Sequence, residues 1–159
     1  MKILGIDPGT ATTGYGLIEK AGSKYTLIDY GVVLTPAKIE LHHRLNSIFD
    51  ELTEIIKRHQ PDEVVVEELF FATNAKTAIS VGAARGVILL AAQKQKVPIA
   101  EYTPLEVKMA ITGYGKADKR QIQQMVKAIL CLKEVPKPDD AADALAIALC
   151  HGQTRKHKP

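Results

Sequence analysis

Short apolar runs and longer helical rhythms alternate along this chain. KILGID (2–7) is an apolar run that ends in an acid and is bounded by Pro8 and Gly9, the pattern of a buried strand. GYGLIEK (14–20) and YTLIDYGVVLT (25–35) read as two more strands joined by the turn AGSK, and connections this short make antiparallel hairpins. From about Lys38 to His59, Leu41, Leu45, Ile48, Phe49, Leu52, Ile55 and Ile56 recur at helical spacing until Pro61 stops them. EVVVEE (63–68) is a fourth strand. Thr73 or Asn74 caps a long helix through about Lys96, and VPIAEYT (97–103) is a fifth strand. Helices follow near 104–111, 118–131 and 140–150. Strands reached through helices run parallel to the first, so the pattern predicts an α/β domain: a mixed five-stranded sheet with helices on both faces. It spans residues 1–153, and a disordered basic tail is expected at 154–159.

The last helix breaks its own pattern. KPDDAADALAIALCHG (137–152) has only Ala, Leu, Ile and Cys from Ala141 to Cys150, except for Asp143. A helix with no polar face is buried all round, and a buried carboxylate is costly without compensation. Capping is one account: Asp140 at the N-cap and Asp143 three residues on would resemble a capping box behind Pro138. It suits Asp140 better than Asp143, because a capping box prefers the longer Glu or Gln at that second position. The other account is a compensating partner such as a metal, since Asp140, Asp143, Ala144 and Ile147 share one helical stripe that faces protein.

Composition narrows the classes. With 159 residues, 46% of them hydrophobic and 25% charged, the chain is one globular domain with a sizeable core, built from Ala, Ile, Val and Leu because aromatics are few and Trp is absent. A net charge of +3 and a pI near 8.8 hint weakly at a polyanionic partner. Cys131 and Cys150 are isolated within apolar helical patterns and read as reduced core residues of a cytoplasmic protein. No signal peptide and no membrane-spanning run is expected.

Acids recur at the ends of elements. Asp7 ends the first strand, Glu67 and Glu68 end the fourth, and Asp140 and Asp143 begin the last helix. Each has an ordinary explanation: Asp before Pro-Gly is a turn residue, and a glutamate past a strand end is simply solvated. In open α/β sheets, however, ligands gather beyond the carboxyl ends of the parallel strands, where strands one and four can lie together under the last helix. Carboxylates gathered there repel unless a hard cation neutralises them. Mg²⁺ does so while keeping sites for water and phosphate, and two such ions roughly 3.5–4 Å apart would clamp a phosphodiester displacement. Glu67 and Glu68 cannot both face such a site, because successive strand residues point to opposite sides.

Four stretches, GIDPGTATTGYG, VEELFFATNAKTAISVGAARG, YTPLEVKMAITGYGKADKRQ and DDAADALAIA, together resemble the RuvC family of bacterial Holliday junction resolvases, within the RNase H-like superfamily. The resemblance runs from Met1 to about His151 and lies in the order and spacing of all four. It implies an endonuclease with two Mg²⁺ per active site that resolves four-way DNA junctions by paired symmetric nicks in recombination and repair. It also implies a homodimer that works with RuvA and RuvB. Asp7, Glu67, Asp140 and Asp143 fall on the family's catalytic, metal-holding acids. Lys108, Lys116, Lys119 and Arg120 cluster where Gly113 and Gly115 free a loop to approach a DNA backbone, and the resemblance assigns Lys108 and Lys119 to junction binding. It gives Phe70 a stacking role on an unpaired base; Phe71 reads as core and Lys127 as surface. The small-residue helix around Ala78, Gly82 and Gly86 allows close packing on the sheet or on a second subunit, and the resemblance implies the subunit. Arg85 pairs either with an acid or with DNA.

Three other functions share parts of this pattern. Actin-like ATPases use a similar GIDPGTATTGYG loop, but they need two such domains and a second phosphate loop. A ribonuclease acting on hybrids would carry the same carboxylates. A DNA-binding module without catalysis would not retain all four acids.

Overall fold

In a computed structural model, residues 1–68 and 75–155 are described. The sheet has the order β3-β2-β1-β4-β5. It is built from β1 (Lys2–Asp7), β2 (Thr12–Ala21), β3 (Lys24–Leu34), β4 (Glu63–Glu67) and β5 (Ile99–Tyr102). The pairs β1–β2 and β2–β3 are antiparallel, while β1–β4 and β4–β5 are parallel. Helices α1 (Leu41–His59) and α2 (Ala75–Lys94) cover one face. Helices α3 (Pro104–Thr112), α4 (Lys119–Ile129) and α5 (Asp139–Thr154) cover the other. The predicted mixed five-stranded sheet is therefore present.

Strand alternation decides what each face receives. Ile3 packs with α3, α4 and α5, while Leu4 and Ile6 pack with α1 and α2. In β4, Val65 joins the first cluster and Val64 and Val66 the second. The β-branched run VVV is buried on both faces, as a central parallel strand requires. By the same alternation, Gly5 and Asp7 of β1, and Glu63 and Glu67 of β4, point toward α5.

Helix α5 lies directly on the strands. A Cβ at Gly5 would stand 2.1 Å from the Ala144 carbonyl oxygen, and one at Gly14 would stand 2.0 Å from that of Asp140. Only glycine permits that approach. Ala141 to Gly152 are buried apart from Asp143, so the all-apolar pattern does mark a helix enclosed on every side. Truncating Leu145, fully buried at its centre, to Ala would cost about 2–5 kcal/mol.

Several boundaries differ from the sequence reading. α1 starts at Leu41 rather than Lys38, because Pro36 to Glu40 form a turn in which the Pro36 carbonyl accepts the Ile39 N–H at 3.2 Å. α4 ends at Ile129, so Cys131 falls beyond it with φ 53° and is exposed, not a core residue; Cys150 is buried as expected. α5 extends to Thr154 and Arg155 pairs with Glu63, so the first two residues given to the tail belong to the fold. Thr73, Asn74, Phe70, Phe71 and residues 156–159 lie outside the described residues.

Candidate active site

The carboxyl ends of β1 and β4 lie side by side. Their last paired rung is Ile6 with Val66, so Asp7 and Glu67 stand one residue beyond it, both on the α5 side. Helix α5 begins above them. Its N-cap is Pro138, with no side-chain cap, which removes the capping account of Asp140 and Asp143. Proline's fixed φ suits a helix start, so the first turn begins one residue earlier and carries Asp139 and Asp140 within it. Their charges favour the helix dipole, but Asp143 lies beyond that turn and is half-buried.

Electrostatics shows how closely the acids gather. Burial, then the charges of Glu67, Asp143 and Asp140, push the Asp7 carboxyl up to about 8, against a partial opposing pull from Lys119. Burial and then Asp143 push Glu67 up to about 7, with Lys108 acting the other way. Burial also raises Asp143, although Lys119 partly compensates it. Lys119 is the direct counter-ion. Its Nζ lies 3.1 Å from Asp143 Oδ2 and 3.5 Å from Asp139 Oδ2. Burial alone would lower the lysine's pKa, but its hydrogen bond to Asp143 and the charges of Asp143 and Asp139 outweigh that and raise it. Asp139 also accepts from the Gln123 amide at 3.0 Å.

The structure thus brings Asp7, Glu67, Asp140 and Asp143 together, while Glu68 is exposed outside the group. An all-carboxylate donor set, crowded enough to hold protons near neutral pH and served by too few lysines, fits a hard dication such as Mg²⁺. A different surface cluster, Glu40, His42 and His43, offers ligand atoms within 4.8 Å of one another, but all three residues are exposed.

Among the basic residues, Lys108 is half-buried beside Glu67, and Lys116, Lys119 and Arg120 are exposed around the start of α4. Lys127 is partly buried on that helix. Arg85 pairs with Glu101 of β5, the acid partner of its two readings. On α2, Ala78 and Gly82 are half-buried and Gly86 is exposed, with open space where a Cβ would stand. Ile79 is 81% exposed on the same helix. Among the described residues, Gly86 therefore serves no tight contact. Two features went unread in the sequence: the Lys119–Asp143 bridge, and a buried pair between His151 and Glu63. Neither has a local signal, because their partners are far apart along the chain.

The family model for crossover junction endodeoxyribonuclease RuvC matches residues 3–151. A crossover junction endodeoxyribonuclease RuvC of Halothermothrix orenii is 58% identical, over 97% of this chain and 93% of its own length. Among solved structures, Thermus thermophilus RuvC superposes with a TM-score of 0.90 at 40% identity, covering 98% of this chain and 95% of that one. RuvC of the same organism in complex with a Holliday junction substrate gives a TM-score of 0.89 at 37% identity, with the same coverage.

Proposed function

From the premise that this chain belongs to the RuvC family of crossover junction endodeoxyribonucleases, we propose that it resolves four-way (Holliday) DNA junctions during recombination and repair, by paired symmetric nicks. The observation that carries this reading is the convergence of Asp7, Glu67, Asp140 and Asp143 at the ends of β1, β4 and α5, crowded enough that burial and mutual repulsion raise Asp7 and Glu67.

Those four acids would hold two Mg²⁺ ions, which supply Lewis acidity at the phosphoryl oxygens and a bound water acidic enough to attack. The chain supplies the rest. Asp7 and Glu67 sit on adjacent parallel strands, so their spacing is set by sheet hydrogen bonds rather than by loops. Asp143 is fixed by the buried helix beneath it. Lys119 holds Asp143 in place and, with Lys108, brings positive charge to the scissile phosphate. Lys116 and Arg120 extend that charge along the backbone of the strand. Phe70 falls on the family's stacking position and would hold an opened junction.

Among its described residues each chain has one such acid cluster and so cuts one strand at a time. Two cuts in strands of like polarity call for a homodimer whose two-fold axis matches the junction's pseudo-symmetry. Helix α2, with its exposed Ile79 and Gly86, is the surface for it. RuvA and RuvB are the expected partners and the cytoplasm the expected setting. No helix among the described residues is long and apolar enough to cross a membrane.

The test is a Mg²⁺ incubation with labelled four-way junction, linear duplex, RNA–DNA hybrid and ATP in parallel. Paired nicks in the junction alone support the reading. Cleavage of the hybrid, or ATP hydrolysis without nicking, overturns it. A mixed dimer with one Asp7→Asn subunit should leave mainly singly nicked junction; full resolution in one binding event would refute the two-site assembly.

A further inference from the structure

The turn between α3 and α4 holds an aromatic ring that the acid cluster does not use. Tyr114 is tied at both backbone groups. Its N–H donates to the Thr112 hydroxyl at 3.1 Å, and its carbonyl accepts the Ala117 N–H at 3.0 Å. Gly113, at φ 70°, closes α3 by donating to the Met109 carbonyl at 2.9 Å. The backbone is thus fixed, yet the tyrosine is 55% exposed. A rigid turn that presents an aromatic ring to water has the form of a recognition surface rather than of a core cap.

Tyr114 forms one wall of a cavity of about 430 Å³ whose other walls include Met125, Arg120, Gln121 and Gln124. Met125 is itself 39% exposed, so the lining offers a second accessible apolar side chain. Most polar groups at the edge can donate, and one carboxylate joins them: Asp118 also lines the cavity, with its Oδ1 accepting the Gln121 N–H at 2.8 Å. Gln121 Oε1 accepts the Asp118 N–H at 2.8 Å in the capping box of α4, which leaves the Gln121 amide hydrogens as its free polar end. The Arg120 guanidinium donates only. An accessible aromatic ring and thioether beside several donors and one carboxylate match a nucleobase, whose π-face stacks and whose edge carries acceptors next to N–H groups.

Its place ties it to the acids. Lys119 and Arg120 are consecutive, and Lys119 reaches Asp143 at 3.1 Å while Arg120 lines the slot. The cavity and the bridge to the acid cluster therefore share the first turn of α4, around which Lys116, Lys119 and Arg120 are exposed.

We propose that this slot takes one unstacked nucleobase beside the scissile phosphate. Tyr114 is its stacking face, and Arg120 with the amides of Gln121 and Gln124 reads an acceptor-rich edge such as that of guanine, which biases where the nick falls. The inference rests on the junction-nuclease reading and adds a specificity-determining residue to it.

The experiment uses full-length protein and four-way junctions carrying 2-aminopurine at one position at a time around the crossover. Binding is followed in Ca²⁺, and cleavage of unlabelled junctions of varied sequence in Mg²⁺. One position next to the nick should show quenching on binding to wild-type protein. Tyr114→Ala should abolish that quenching and weaken binding by about tenfold, within the range for one lost base–aromatic stack. Tyr114→Phe should retain both, because the ring remains. Gln124→Ala should keep the quenching while narrowing the spread of cleavage rates between sequences. Unchanged affinity and quenching in Tyr114→Ala would overturn the inference, including the case where the ring meets a protein partner instead. So would a Tyr114→Phe variant as weak as Tyr114→Ala. A wild-type protein that quenches and binds but never nicks the junction would instead sink the nuclease reading.

Discussion

Strand β4 and helix α5 meet twice, once at each end, and the two meetings are built on opposite rules. At one end Glu67 faces Asp143 and Asp7, and burial together with this crowding of like charges pushes Glu67 up to about 7 and Asp7 up to about 8. At the other end, four residues back along β4, Glu63 faces His151 Nε2 at 2.6 Å and the Arg155 guanidinium at 2.6 Å. The Tyr102 hydroxyl lies 3.0 Å from His151 Nδ1, with the rings edge to face. This arrangement suits a neutral imidazole, and burial indeed holds His151 below the ordinary imidazole range against the pull of Glu63. One end is closed electrostatically within the chain; the other is left open for something brought from outside. Buried charge that a fold compensates contributes to structure, whereas buried charge that it leaves uncompensated marks where binding energy is to be spent.

The largest expected effect lies at the uncompensated end. Asp7→Asn and Asp143→Asn should each reduce junction cleavage by at least the order of 10²–10³-fold that removing one preorganised electrostatic group costs, while junction binding stays intact or tightens. Asp7→Asn should also raise the thermal midpoint in EDTA at pH 8, because the fold sheds a repelled charge. An active Asp143→Asn would return that residue to a structural role.

Glu67→Gln against Glu68→Gln is the next test. Cleavage should fail in the first and persist in the second, since only Glu67 lies on the α5 side. The reverse result would mean that the strand's facing is wrong by one residue.

At the compensated end the expected loss is stability, not chemistry. Glu63→Gln takes the charged acceptor from the neutral His151 and the counter-charge from the part-exposed Arg155, and should cost about 1.5–3 kcal/mol, the range for losing a hydrogen bond to a charged group. Urea denaturation measures it. The rate per folded molecule should stay near wild type, and a variant of full stability but poor cleavage would break the comparison.

The smallest effect is a pH dependence. Folded Asp7 and Glu67 keep protons that an unfolded chain, with carboxyls near 3.8 and 4.5, releases earlier. In EDTA, stability from these groups is therefore fully present below about pH 4 and is lost as pH rises through 7 to 8. Mg²⁺ should raise the thermal midpoint more at pH 8 than at pH 5.5, as scanning calorimetry can read. An equal or larger shift at pH 5.5 would mean that the ion binds elsewhere.

The elements and most of the acid cluster were readable because their signals are local. The run KILGID, the VVV of β4 and the all-apolar α5 each state their burial within a few residues, and Asp143 is conspicuous against its own helix. The failures share a cause as well. Asp140 looked like an N-cap because nothing nearby tells that Pro138 takes that place. Cys131 looked buried because the rhythm of α4 continues past the point where the helix unwinds. The His151–Glu63 pair and the hold of Lys119 on Asp143 join residues distant along the chain, which no periodicity can announce.

The glycines beneath α5 bear on how genetic variation in this protein is to be interpreted. Gly5 and Gly14 carry no side chain, but a methyl group at either would collide with the helix backbone and displace the turn that carries Asp140 and Asp143. In a survival screen, alanine at Gly14 would have the same signature as alanine at Asp140. Tolerance maps alone would therefore draw the proposed acid site too large, and only variants scored separately for folding and for cutting would shrink it to its true outline.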